Sequence, residues 1–440
     1  MRSDRPSKSH VQEYVETRAR VRKPKKEVKQ AVNPERKTPP VPNYMRPCLS
    51  LDVHKRSITA TRMDPGGQHV GTWTLPTTRS EIVSLAQSIP ESVPVVLEAS
   101  TAGKAVALVL KEAGCELHMA APNKIPKPEV KTDKRDSIRL AQLYQSGSMP
   151  ECYVPPPEIE HLRLLTRNRR DLAAKVTLVK NQVHALVTRN LADSDMKGVS
   201  DWYGAKGLRQ MIRLSLPAED QAHLARYLEQ LELLAHQEES MQAELAQVAR
   251  DHPEISLLMT IPGVNFYTAV GIVAEIGDIR RFQDKQHLAS YAGLVPKADD
   301  SGDTKGQQHR PVKKGNMVLK SFLCTAVKGM LKANQKTAVT EFYRKKVRTL
   351  PAQKVQVAAA RKLSAEVWKI LTFGVPYREE DADLTERKEQ RMRRIAETSA
   401  PEITTEQLEQ LADRLSGKAE LLDRLQEEAG GDGVEVQNAG

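Results

Sequence analysis

From Cys48 onward, apolar and polar residues alternate or cluster with the short period of extended chain. CLSLDVH (48–54), SITATRM (57–63) and HVGTWTL (69–75) are rich in β-formers, and DPGG at 64–67 separates the second from the third. Proline presets the turn and glycine completes it, so these segments predict a meander of three strands. The period then changes. A helical stretch near Arg79 to Gln87 is followed by the apolar run Val93 to Leu97, a helix from about Gly103 to Ala113 and the strand-like Glu116 to Ala120. A meander followed by alternating strands and helices predicts an α/β domain with a mixed sheet and helices on its faces. Thr132 can cap a helix running to about Gln145, and Met149 to Glu158, which contains PPP, reads as a linker.

Beyond the linker the spacing is helical. Leu165, Leu172, Val176, Val179, Val183 and Leu186 recur at steps of three and four, with Arg169 at the polar position of the seam. After a break at Gly204 and Gly207 a second run passes through Tyr227, Leu231, Leu234, Met241, Leu245 and Val248. Two such runs predict a coiled-coil region over 158–250, as an antiparallel hairpin, a dimer seam, or both. A mostly helical third region, 253–377, opens with LLMTIPGVNFYTAVGIVAEIGD. There Pro262 and Gly263 predict a helix-hairpin-helix-like turn, and such a turn can offer backbone N–H groups, Gly263 among them, to a phosphate. Most turns of this kind are only turns.

The two ends differ in character. Residues 1–46 are rich in Lys, Arg and Pro without apolar periodicity, which predicts a basic disordered arm. Residues 378–440 read as an acidic tail in which Leu408, Leu411, Leu415, Leu422 and Leu425 mark an amphipathic helix suited to a partner or a second copy. Across all 440 residues Lys and Arg exceed Asp and Glu by 67 to 56, a net +11 that favours a polyanionic partner. The opening MRSDRPSKSH has no apolar core, and no apolar run of about 18 residues occurs, so neither export nor membrane spanning is expected. Cys48, Cys115, Cys152 and Cys324 are too far apart for a zinc ribbon or a disulfide framework, and a reducing, cytoplasmic setting is expected.

Candidate chemistry lies at the ends of predicted elements. Asp52 sits in the first strand, Glu98 immediately after the fourth, and Asp133 with Asp136 at the start of the following helix. Any one of them alone is more often a surface residue. Residues three apart on a helix share a face, so one turn supplies two carboxylates. Four converging carboxylates repel one another unless a divalent cation lies between them, and oxygen ligands suit Mg²⁺ or Mn²⁺. Two such ions about 4 Å apart can align the attacking and leaving oxygens of phosphodiester chemistry. Lys131, Lys134 and Arg135 beside the acids can hold a phosphate backbone. A second feature is the polar, basic loop after Tyr291, with Ser301, Lys305, Arg310 and Lys314. Ser301 could be a nucleophile, but serine is a weak one until a base or metal takes its proton, so spacing alone favours an ordinary turn residue. Arg163, Arg167 and Arg170 can contact nucleic-acid backbone, although a solvated helix face explains such residues as well.

LDVHK at 51–55, VVLEAS at 95–100, KTDKRDSIRLAQL at 131–143, TIPGV at 260–264 and AEIGDIRRF through ASYAGLVP, in this order and spacing, resemble the IS110 family of DEDD transposases over about residues 48–377. The resemblance implies a RuvC-like, RNase H-type domain at 47–150, the coiled-coil region, and a C-terminal transposase domain carrying a catalytic serine. The metal-binding tetrad would be Asp52, Glu98, Asp133 and Asp136, and the serine Ser301, here preceded by Asp300 where many relatives have another serine. It further implies donor and target DNA, a bridge RNA whose base pairing reads sequence while protein holds backbone, and a homo-oligomer, dimer or tetramer. The expected activity is cutting and rejoining DNA through a phosphoserine. The competing expectations are a metal-dependent structure-selective endonuclease using water, and a non-catalytic nucleic-acid-binding protein.

Overall fold

The structure, a computed structural model, describes residues 46–125, 132–295 and 315–398, with scattered helical positions between 406 and 416. The expected basic arm up to residue 45 and most of the leucine-spaced segment near the C-terminus lie outside these residues. The chain divides into two compact units at Val154 and Pro155.

In the first unit the period-two segments form β1 (Cys48–Val53), β2 (Ser57–Met63) and β3 (His69–Pro76). They are followed by α1 (Arg79–Ser88), β4 (Val95–Glu98), α2 (Thr101–Glu112), β5 (Leu117–Ala120) and, after the linking residues, α3 (Asp133–Gln145). The sheet order is β3-β2-β1-β4-β5, with β1–β3 antiparallel and β4 and β5 parallel to β1. This mixed sheet fits an RNase H-type domain. Alternation along the central strands divides the core in two. Leu49, Leu51 and Leu97 pack with Ile82, Val106 and Leu110 of α1 and α2, while Cys48, Val96 and Ala120 pack with Leu140, Ala141 and Tyr144 of α3. Buried on both faces, β1 and β4 read as nearly continuous apolar runs.

The second unit is helical. Two 33-residue helices, α4 (Pro157–Arg189) and, after the short α5 (Ala205–Met211), α6 (Ala218–Arg250), dominate its first half. They run antiparallel. Leu162 and Leu165 near the start of α4 share a core with Leu245, Ala246 and Ala249 near the end of α6. Val183, Leu186 and Val187 at the other end cluster with Leu224, Tyr227 and Leu228. The second half comprises α7 (Pro253–Met259), α8 (Phe266–Ile276), α9 (Lys285–Tyr291), α10 (Met317–Lys332), α11 (Ala338–Lys346), α12 (Ala352–Phe373) and α13 (Ala382–Ala396). The foot of the hairpin and these helices share one hydrophobic cluster, so 158–250 and 253–377 form a single unit. Residues 382–396 were expected in a separate tail, yet Met392 and Ala396 of α13 join that same core. Their positions recur at helical spacing, and the many charges of this stretch hid them. No described helix is long and apolar enough to cross a membrane.

Candidate metal centre and nucleic-acid interface

Asp52 lies on β1, one residue past Leu51, which pairs with Leu97 of the parallel β4. Glu98 follows Leu97, so the two acids occupy neighbouring positions on one face at the same end of the sheet. The polypeptide is fixed tightly there. Ser100 caps α2 by accepting from the Gly103 N–H at 2.8 Å, and a Cβ on Gly103 would lie 2.2 Å from the carbonyl oxygen of Glu98. Only glycine allows the first turn of α2 to close over the end of β4.

The other two acids are held by α3. The Thr132 hydroxyl accepts from the Arg135 N–H at 3.3 Å, starting the helix so that Asp133 and Asp136 fall in its first turn, at the positive end of the helix dipole. A buried run of hydroxyls fastens this turn to the sheet. Ser50 Oγ donates to the Ser137 carbonyl at 2.7 Å, and Thr61 Oγ1 and Ser137 Oγ are 2.6 Å apart, with Thr72 Oγ1 2.9 Å beyond Thr61. Ser50 and Ser137 are completely buried. Ser50, Asp52 and His54 alternate with Leu49, Leu51 and Val53, so the fastening residue and the acid share a strand face.

His54 completes the cluster. Its Nε2 lies 3.2 Å from Asp52 Oδ2 and 3.3 Å from Asp133 Oδ1. Among the described residues, one ligand atom each from Asp52, His54 and Asp133 falls within 4.8 Å of the others. Burial pushes the Asp52 carboxyl above its ordinary range, His54 partly offsets this, and the charges of Asp133 and Asp136 raise it further. Asp136 Oδ2 is shielded from solvent and has no hydrogen-bond partner among the described residues. A divalent cation would relieve both the crowding and the orphaned oxygen, so the donor set fits one. Lys134 and Arg135 are exposed beside the acids.

In the second unit, a buried network engages two of the arginines expected to meet phosphate. Arg163 is buried, and its guanidinium donates to the carbonyls of Ala274 at 2.7 Å and Glu275 at 3.2 Å. Arg167 makes a two-pronged pair with the Glu275 carboxylate at 2.8 and 2.9 Å. Both arginines are thus engaged within the protein at the end of α8, with Arg167 still 38% exposed, and Arg170 is open to solvent. Glu275 is fully buried and also accepts from Asn316 Nδ2 at 2.7 Å. Burial pushes its carboxyl up, but the hydrogen bonds from Arg167 and Asn316 outweigh this and hold it below the usual range.

Gly263, with φ +81°, is partly exposed. A Cβ there would sit 2.2 Å from the Met330 backbone nitrogen, so the turn is packed against α10. Thr260, Ile261, Pro262 and Val264 around it are buried. The approach of α10 is what requires glycine at this position of the turn. Lys131, Ser301, Lys305, Arg310 and Lys314 lie outside the described residues.

A transposase model for the DEDD part of IS110 elements matches residues 49–190, and a model described as the transposase IS116/IS110/IS902 family matches 255–344. The chain belongs to the IS110 family of transposases. Relatives of this transposase include that of insertion sequence element IS1111A from Coxiella burnetii, 25% identical over 75% of this chain and 91% of the relative. That of IS1328 from Yersinia enterocolitica is 24% identical over 75% of this chain and 98% of the relative, and the putative transposase y4rJ of Sinorhizobium fredii is 28% identical over 64% and 77%. The first matched segment contains the whole acidic cluster, and the second contains Glu275 and Asn316.

The transposase also carries exposed basic residues on α10 to α12 that sequence spacing did not single out. Between Met317 and Lys369, twelve Lys and Arg stand against Glu341 and Glu366. Lys328, Lys332, Lys345, Lys346, Arg348, Lys354, Arg361 and Lys362 are exposed on α10 to α12 and their connections. They went unnoticed because they are spread along three helices. The missed His54 was legible in principle, two positions beyond Asp52 on one strand face.

Proposed function

We propose that this transposase cuts and rejoins DNA with Ser301 as nucleophile and a divalent metal, Mg²⁺ or Mn²⁺, held by Asp52, Glu98, Asp133 and Asp136. The observation that carries the reading is the convergence of Asp52 and Asp133 on His54 with the unpartnered Asp136 oxygen beside them. Bound there, the metal would supply Lewis-acid stabilisation of a charged phosphate. The Ser301 oxygen bonds to the scissile phosphorus and the phosphorus–deoxyribose oxygen bond breaks, leaving a phosphoserine and a sugar hydroxyl. Attack by a sugar hydroxyl of the exchanged strand restores a phosphodiester and releases the serine. The bond is conserved, so no high-energy cofactor is consumed.

Lys134, Arg135 and the exposed basic residues of α10–α12 hold phosphate backbone in this reading, with Arg170, Lys131, Lys305, Arg310 and Lys314 as further contacts. A bridge RNA pairing with donor and target DNA supplies sequence choice, and the working assembly is a homo-oligomer. What supports these statements is family membership and the surplus of positive charge.

The test is covalent trapping on labelled DNA, with and without the RNA transcribed from beside the gene. A protein–DNA adduct that requires metal, is lost in Ser301→Ala and persists in Ser290→Ala is the expected result. Cut ends with no adduct would establish the endonuclease reading. Binding without any strand breakage would establish a non-catalytic binding protein.

A further inference from the structure

The turn between α7 and α8 directs three backbone carbonyls at one point. Lys388 Nζ, from α13, donates to the carbonyls of Ile261 at 3.0 Å and Val264 at 3.1 Å, and to that of Met259. An ammonium has three N–H donors and no acceptor, so every donor has one carbonyl and the coordination is complete. Met259 ends α7, where carbonyls left without intrahelical partners carry partial negative charge. Met259, Ile261 and Val264 are completely buried, so water is a poor substitute for the donor they share.

We propose that the 259–264 turn is a monovalent-cation site, of the kind that takes K⁺ or ammonium, and that the Lys388 ammonium is its resident cation. Backbone carbonyls converging without a carboxylate are the ligand set that replaces the hydration shell of a large monovalent ion. A divalent ion, which prefers charged oxygens, is disfavoured by the same set. The charges of Glu380, Asp381 and Glu389 favour the ammonium, against burial, which lowers its pKa to about 8. The tether makes the site independent of dissolved salt. It also explains why α13, beyond both matched segments, is part of the core. The turn it secures leads directly into α8, whose far end carries Glu275.

The experiment compares melting of the full chain and of Lys388→Ala in choline, lithium, potassium and ammonium chlorides at equal ionic strength. Removing the side chain leaves the carbonyls without their donor, and in choline chloride the variant should melt about 6 °C below the parent. Potassium or ammonium should restore at least about half of that loss and lithium little of it, while the parent shifts by less than about 1 °C between salts. Lys388→Met, whose stem fills the space, should show no recovery. Equal melting of Lys388→Ala in all four salts would overturn the proposal. Should Lys388→Ala fail to fold, acetylation of the parent chain read by mass spectrometry decides instead. Lys388 should react about tenfold or more slowly than the exposed Lys354, because its reaction requires local opening; equal rates would overturn the assignment.

Discussion

Replacing Arg167 by alanine separates two roles that the sequence left open. In the structure this side chain makes both of its hydrogen bonds to Glu275, which is fully buried. Removing one partner of a buried ion pair costs about 3–5 kcal/mol, because the other charge stays desolvated. Arg167 is itself 38% exposed, which lets solvent weaken the pair, and Asn316 remains to donate to Glu275. The lower end therefore applies, and Arg167→Ala should cost about 3 kcal/mol. Urea unfolding of the full chain measures it, with Trp202 and Trp368 reporting the second unit and Trp73 the first. The second-unit transition should move and the first should not. With Glu275→Gln as the other arm of a double-mutant cycle, the coupling should be about 1.5 kcal/mol or more. The pH dependence has a definite sign. Glu275 is held below its ordinary range, so the pair's contribution is complete above an unfolded carboxylate value of about 4.3 and is lost as pH falls through the lower folded value. An Arg167→Ala protein with parental stability, weaker DNA binding and a flatter salt dependence would refute the argument and return Arg167 to the nucleic-acid interface.

Three further outcomes follow from the acidic site. Gly103→Ala places a Cβ against the Glu98 carbonyl and should cost about 1–3 kcal/mol together with the melting gain from Mn²⁺, whereas Gly71→Ala, with open space around it, should retain that gain; differential scanning calorimetry with and without metal distinguishes them. Ser137→Ala removes a buried hydroxyl from the contact between α3 and β2 and should cost about 1–2 kcal/mol in chemical denaturation, with parental stability as the contrary result. Asp52→Asn should match or exceed the parent's stability in EDTA by up to about 1 kcal/mol, because the raised carboxyl pKa means that the folded state gives up stability as pH climbs through it, and should lose the Mn²⁺-induced gain. A variant that melts lower than the parent in EDTA yet gains equally from Mn²⁺ would contradict this.

The first unit was legible because its signals are local. Period-two strands, DPGG and the Thr132 cap fix the elements, and Asp52, Glu98, Asp133 and Asp136 fall at their ends. The roles of Arg163 and Arg167 were not legible, since an arginine on a helix looks the same in sequence whether it meets solvent or the buried end of α8, more than a hundred residues away. Gly263 was read for its turn, and its second requirement, the approach of α10, comes from a distant segment. Lys388 stood in a run so rich in charge that no pattern set it apart.

The described residues that flank 296–314 meet at one spot of the second unit. Asn316 N–H donates to the Tyr291 carbonyl at 2.7 Å, and Lys320 Nζ reaches the Gly293 carbonyl at 3.2 Å. Because these two flanks are hydrogen-bonded directly to each other, the length of the intervening sequence is decoupled from the core. Doubling it would cost only about 0.6 kcal/mol of closure entropy. An affinity tag or a fluorophore-bearing peptide inserted between the two flanks should therefore leave α9 and α10 in their places.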